Sequence, residues 1–157
     1  MTTMTLGALA PDIDIPSTGD KTVNLRNFAG RFIILYFYPK DSTPGCTQEG
    51  RDFRDHIEAF EAQNAVIFGV SRDSLKQHEN FKCKQEFPFD LLSDTDETLC
   101  QLFDVIKQKN MYGKQVRGIE RSTFLFDPNG VLVHEWRKVS VKSHIAEVLD
   151  VLTALNR

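Results

Sequence analysis

Three cysteines, at positions 46, 83 and 100, are the side chains of this 157-residue chain best suited to nucleophilic or redox chemistry. No CxxC pairs them and no histidine stands at zinc-finger spacing from them, which argues against a structural zinc site and against a dithiol exchanger. Cys46 stands apart because of what precedes it. An apolar run at 32–38 (FIILYFY) meets Pro39, the polar turn Lys40-Asp41-Ser42 follows, and then comes Thr43-Pro44-Gly45-Cys46. Pro39 ends a strand because it has no N–H to donate. Thr43 suits a helix N-cap and Pro44 the first helical position, so Cys46 falls in a helix's first turn. Unpaired N–H groups and the positive end of the helix dipole favour an anion there, so a thiol at Cys46 is expected to ionise readily. The bland alternative is a small buried core residue. A Thr, a Pro and a Gly gathered at a strand-to-helix switch, where α/β sheets place their sites, favour the reactive reading.

The elements that must hold this turn follow from periodicity. Residues 32–38 and 65–70 read as strands buried on both faces, joined through a helix whose Phe53, Ile57 and Phe60 form one apolar stripe, which implies a parallel pair. Ser74 and Gln77 form a capping box that opens a helix to about residue 85. A short strand at 91–93 precedes a helix marked by Leu99, Leu102, Phe103 and Ile106, and 107–118 reads as an exposed loop. Residues 122–126 and 131–136 flank Asp127-Pro128-Asn129-Gly130 as a hairpin. Ile145, Val148, Leu149, Leu152 and Leu155 mark a final helix, and 12–16 with 22–25 suggest an N-terminal hairpin.

Pro39-x-x-x-Thr43-x-x-Cys46 matches the active-site signature of the peroxiredoxins, and YFYPKDSTPGCT resembles their bacterioferritin comigratory protein, or Q-type, subfamily. The likeness runs from Ala10-Pro11-Asp12 to Arg121-Ser122-Thr123-Phe124 and the final helix. It implies one thioredoxin-like α/β domain over 1–157, with a central mixed sheet flanked by helices and an N-terminal β-hairpin extension. It also implies a thiol-dependent peroxidase that reduces hydrogen peroxide and organic hydroperoxides without a cofactor or metal, re-reduced by thioredoxin or another dithiol, as a monomer or weak dimer.

By the same resemblance Cys46 attacks the peroxide and becomes a sulfenic acid. Arg121 reaches the sulfur and the peroxide oxygens, Glu49 orients Arg121, and Pro39 shields the sulfur. Thr43 stands close enough to hydrogen-bond the sulfur or the peroxide. Each has a plainer reading: surface arginine, helix-start glutamate, strand terminator and N-cap. Many Q-type members place a resolving cysteine five residues after the first, where this chain has Arg51. Others use the next helix, which holds Cys83. Cys83 lies about 160° around a helix from Phe81, so a buried Phe81 turns Cys83 outward, while Cys100 borders the 99–106 stripe and is expected to be buried and inert. A disulfide needs Cα atoms about 4.4–6.8 Å apart, so local unwinding around Cys46, Cys83 or both is expected during turnover. The alternatives are a one-cysteine peroxidase resolved by an external thiol and a peroxide sensor or binding module.

Lys and Arg total 19 against 22 Asp and Glu, a net charge of −3 that offers no general attraction to nucleic acid or to an anionic membrane. No signal-peptide pattern and no long apolar segment is visible, so a cytoplasmic location is expected. His56, His78, His134 and His144 show no triad-like arrangement and default to solvated surface roles. Trp136 and most of the twelve Phe residues are expected in the core.

Overall fold

The computed structural model describes residues 3–156, apart from the side chains of Lys109 and Met111. Its centre is a seven-stranded mixed sheet. In chain order the strands of that sheet and of a separate ribbon are β1 (Ile15–Ser17), β2 (Lys21–Val23), β3 (Phe32–Phe37), β4 (Ala65–Ser71), β5 (Asp90–Ser93), β6 (Ile106–Met111), β7 (Lys114–Ile119), β8 (Ser122–Phe126) and β9 (Leu132–Trp136). The large sheet runs β2-β1-β5-β4-β3-β8-β9, with β3, β4 and β5 parallel and the outer pairings antiparallel. The helices are α1 (Pro44–Asp55), α2 (Ile57–Ala62), α3 (Leu75–Gln85), α4 (Thr98–Leu102) and α5 (His144–Leu155).

Alternation along β3 builds both layers of the core. Ile33, Leu35 and Phe37 pack on one face with Phe68, Phe103, Phe124 and Phe126. Phe32, Ile34, Tyr36 and Tyr38 pack on the other with Phe53, Phe60, Phe81, Ile145, Val148 and Leu152, the apolar stripes of α1, α2, α3 and α5. A strand buried on both faces reads as a continuous apolar run, which is why β3 was evident from composition alone. The capping box at Ser74 forms with both of its bonds, and the N-terminal hairpin is present but shorter than its alternating pattern.

Several local expectations fail for identifiable reasons. Residues 107–118 are not a loop but the antiparallel ribbon β6–β7, turned by Tyr112 and Gly113, which both take positive φ. Among the described residues the two strands pair only with each other, and the outward run of β7 buries no face until Ile119, so no alternation marks it. The helix expected through Ile106 stops at Leu102: Asp104 is left-handed, Val105 N–H bonds back to the Cys100 carbonyl at 3.0 Å, and Ile106 opens β6. The helix after Cys46 breaks at His56, separating α1 from α2. His78 and His144 are buried rather than solvated, and Trp136 is only half-buried against His134 and His144.

Gly50 sits inside α1, where a Cβ would lie 2.3 Å from Cζ of Phe87. Gly50→Ala is therefore expected to lower stability by about 1–2 kcal/mol, overpacking outweighing the gain in helix propensity, as a reduced midpoint in urea unfolding.

Candidate active site

β3 delivers the chain to the site and the next six residues shape it. Tyr38 N–H still bonds the Val70 carbonyl at 3.0 Å, Pro39 ends the pairing, and Ser42 turns the chain with φ 63°. Thr43 is the N-cap in extended geometry, but its hydroxyl does not cap the helix; Oγ1 donates to the Lys40 carbonyl at 2.7 Å, which ties the loop to itself. Pro44 and Gly45 begin α1, and Cys46 lies in its first turn, 2% exposed.

Arg121 precedes β8, and the pairing of Phe37 with Ser122 brings it beside the end of β3. Its guanidinium joins two groups of α1. Nη1 donates to Glu49 Oε1 at 2.7 Å and Nη2 to Cys46 Sγ at 3.5 Å. Glu49 is fully buried, so its reading as an exposed helix-start residue is excluded. Burial pushes its carboxyl up to about 7, although the Arg121 charge and hydrogen bond pull the other way. Burial by itself disfavours the Arg121 cation, yet Glu49 and Cys46 reverse that and hold its proton more firmly than usual. One oxygen of Glu49, Oε2, and the hydroxyl of Tyr36 are buried without a hydrogen-bond partner among the described residues.

Gly45 explains how the guanidinium comes so close. A Cβ there would stand 3.1 Å from Arg121 Nη2. The expected site residues named only Cys46 from the Pro-Gly-Cys run; the signal for Gly45 was available, since a glycine in a helix's first turn is costly without a reason. His144 lies behind the site, its Nε2 2.8 Å from Thr123 Oγ1, and burial together with the Arg121 charge lowers it to about 4, which leaves a neutral ring.

The structure brings Cys46, Arg121 and Glu49 into one contact, with Thr43 at the start of the same helix and half-buried Pro39 at the head of the loop. It does not bring the cysteines together: all three are free. Cys83 is exposed on α3 opposite buried Phe81, at a hollow lined also by Gly19, Glu79, Lys82, Glu86 and Phe87. Lys82 is paired with Asp90 at 2.7 Å. Cys100 is buried, and burial and Asp94 push its thiol far up, which disfavours its thiolate.

A free sulfur at a helix start, hydrogen-bonded to a part-buried arginine at the end of a central strand of a mixed α/β sheet, defines a cysteine-based redox enzyme. The chain belongs to the AhpC/TSA family, whose pattern matches residues 6–135. It is 55% identical over 149 residues to peroxiredoxin Bcp of Xanthomonas campestris, covering 95% of this chain and 93% of that protein. With peroxiredoxin Bcp of Bacillus subtilis the identity is 51% over 150 residues, 96% of each chain. A solved structure of the Xanthomonas campestris bacterioferritin comigratory protein, studied for alkyl peroxide reduction, superposes with a TM-score of 0.91 at 52% identity over 100% of both chains. A peroxiredoxin Q mutant of Xylella fastidiosa gives 0.93 at 43% identity, again over 100% of both. The fold is thus thioredoxin-like, with β1 and β2 as an added hairpin, and the chain is a thiol-dependent peroxidase.

Gly45→Ala is expected to slow peroxide consumption roughly tenfold by displacing the guanidinium, while stability holds or rises by up to about 1 kcal/mol; stopped-flow kinetics and urea unfolding read the two effects. Glu49 binds its proton more tightly folded than unfolded. Its ionisation therefore costs stability as pH rises from the ordinary 4.5 to about 7, and below 4.5 that cost is absent. The slope is at most about 1.4 kcal/mol per pH unit, and Glu49→Gln should flatten it in unfolding measured across that window.

Proposed function

We propose that Cys46 is the peroxidatic residue and Cys83 its resolving partner, within a single domain formed by the whole chain. The observation that carries this reading is the Arg121 guanidinium, which bonds Sγ of Cys46 while anchored by the buried carboxyl of Glu49. The Cys46 thiolate attacks one oxygen of hydrogen peroxide or an organic hydroperoxide. The O–O bond breaks, the other oxygen leaves with the electron pair as hydroxide or alkoxide and takes up a proton, and Cys46 becomes a sulfenic acid. Arg121 offers fixed donors to sulfur and oxygens as charge passes between them, with Glu49 orienting it. Thr43, the N-cap of the helix that carries Cys46, keeps lone pairs to accept from the hydroperoxide, its own proton being committed to the Lys40 carbonyl. Pro39 limits water at the loop.

The Cys83 thiolate then attacks the Cys46 sulfenic sulfur; the S–S bond forms as the S–O bond breaks, and the departing hydroxide takes up a proton to leave as water. A dithiol such as thioredoxin supplies the two electrons that restore both thiols. Phe87 supports the assignment. Its ring packs at Gly50, one turn beyond Cys46, and also lines the hollow that holds Cys83. Since the cysteines are free and one is buried, the first turn of α1 or the end of α3 must loosen for them to meet. No helix among the described residues is long and apolar enough to cross a membrane. Action in the cytoplasm, as a monomer or weak dimer, belongs to the same proposal and rests on the family likeness.

Peroxide treatment followed by intact-mass measurement tests the pair. The wild type should lose about two mass units, Cys83→Ser should instead gain oxygen at Cys46, and Cys46→Ser should be unreactive. An unchanged two-unit loss in Cys83→Ser would overturn the resolver assignment. Arg121→Ala should slow the first step by about a hundredfold or more in single-turnover kinetics.

A further inference from the structure

Away from Cys46, Arg121 and Glu49, a second polar cluster is built deep in the molecule. Asp41 lies in the loop before Cys46 and His78 on α3, five residues before Cys83. His78 is 0% exposed and Asp41 7%. His78 Nδ1 meets Asp41 Oδ2 at 2.6 Å and its Nε2 meets the Leu92 carbonyl at 2.9 Å. Tyr38 Oη donates to Asp41 Oδ1 at 2.5 Å. From the turn before α3, Asp73 Oδ2 accepts from Asp41 N–H at 2.9 Å and from Ser71 Oγ at 2.5 Å, while Ser93 Oγ donates to the Asp73 carbonyl at 2.6 Å.

Asp41, Asp73 and His78 hold their ligand-type atoms within 4.8 Å of one another, the spacing of a cation site. The hydrogen bonds argue for a different use. Both nitrogens of His78 face acceptors and both oxygens of Asp41 are engaged, so these two groups satisfy one another. What the cluster joins is the loop carrying the attacking sulfur and the helix carrying the second one.

We propose that Asp41 and His78 are positioning residues that clasp the Cys46 loop to α3, holding the arrangement that attacks peroxide and parting when the disulfide forms. The clasp rests on the assignment of Cys83 as resolver. It changes no bond of the reaction: the sulfenic acid of Cys46 and the thiol of Cys83 still yield a disulfide and water. It sets how readily the two segments separate, and hence how a sulfenic acid divides between disulfide and further oxidation by a second peroxide.

Rapid quench and intact mass on the full chain test the clasp, giving the rate of Cys46 oxidation, the rate of disulfide formation and the sulfinic share at excess peroxide. His78→Phe and Asp41→Ala remove the clasp, and the ratio of disulfide rate to attack rate should rise about tenfold as the sulfinic share falls. Asp41→Asn can rebuild every bond, its amide donating to a neutral His78 whose Nε2–H still reaches Leu92, and should stay within about twofold of the wild type. An unchanged ratio in His78→Phe and Asp41→Ala, or Asp41→Asn behaving like Asp41→Ala, overturns the clasp. Should the variants not fold, amide hydrogen exchange of the wild type decides: residues 40–43 and 76–80 should lose protection together in the oxidised protein, and retained protection at both overturns the proposal. Peptide mapping of the oxidised wild type separates the two readings. Absence of the Cys46–Cys83 disulfide overturns the resolver assignment and the clasp with it, while the disulfide with an unmoved ratio overturns the clasp alone.

Discussion

One guanidinium governs this structure. Arg121 is held between a buried carboxyl and a buried sulfur, and each of the three groups is tolerable there only because of the others. Glu49 without Arg121 would be an unpaired buried acid, and Arg121 without Glu49 would be free to swing from the sulfur. The arrangement needs β8 beside β3, because that pairing places residue 121 next to the turn after residue 38. It also needs a residue without a side chain at position 45, so that the guanidinium can lie against the helix start. The scaffold and the chemistry therefore meet at a few backbone positions rather than over a broad pocket.

Those positions sit at the ends of the most deeply buried strands of the sheet. β3, β4 and β5 run parallel, so their carboxyl ends open on the same side of the sheet. From β3 comes the Cys46 loop, from β4 the turn with Asp73 and then α3, and from β5 the Leu92 carbonyl and Ser93 that tie the buried cluster together. Loops that part under the proposed disulfide are thereby rooted in buried central strands.

Much of this was legible in the sequence where a residue's reason is local. The apolar run of β3, the proline that stops it, the capping box at Ser74 and the outward turn of Cys83 each depend on neighbours within a few residues. The β6–β7 ribbon escaped because its strands bury little, so no periodicity betrays them. Buried His78 and His144 escaped for a related reason, as the burial of Glu49 would have without the family resemblance. Their partners lie far along the chain, Arg121 being 72 residues from Glu49 and Asp41 37 from His78, and a polar side chain whose complement is so distant looks like a surface residue. Resemblance to a known family supplied what periodicity could not: the partnership of Arg121 with Cys46.

The near closure of Cys46 has a consequence for traffic through the site. A cysteine only 2% exposed admits a slender oxidant more easily than a bulky thiol such as a tripeptide. Competing small-molecule reductants are thus fenced off, and a resolving cysteine on the same chain, as proposed for Cys83, acts at a local concentration that no solute can match. Sequence of events is imposed by geometry of entry, with the same few residues acting as both sieve and timer.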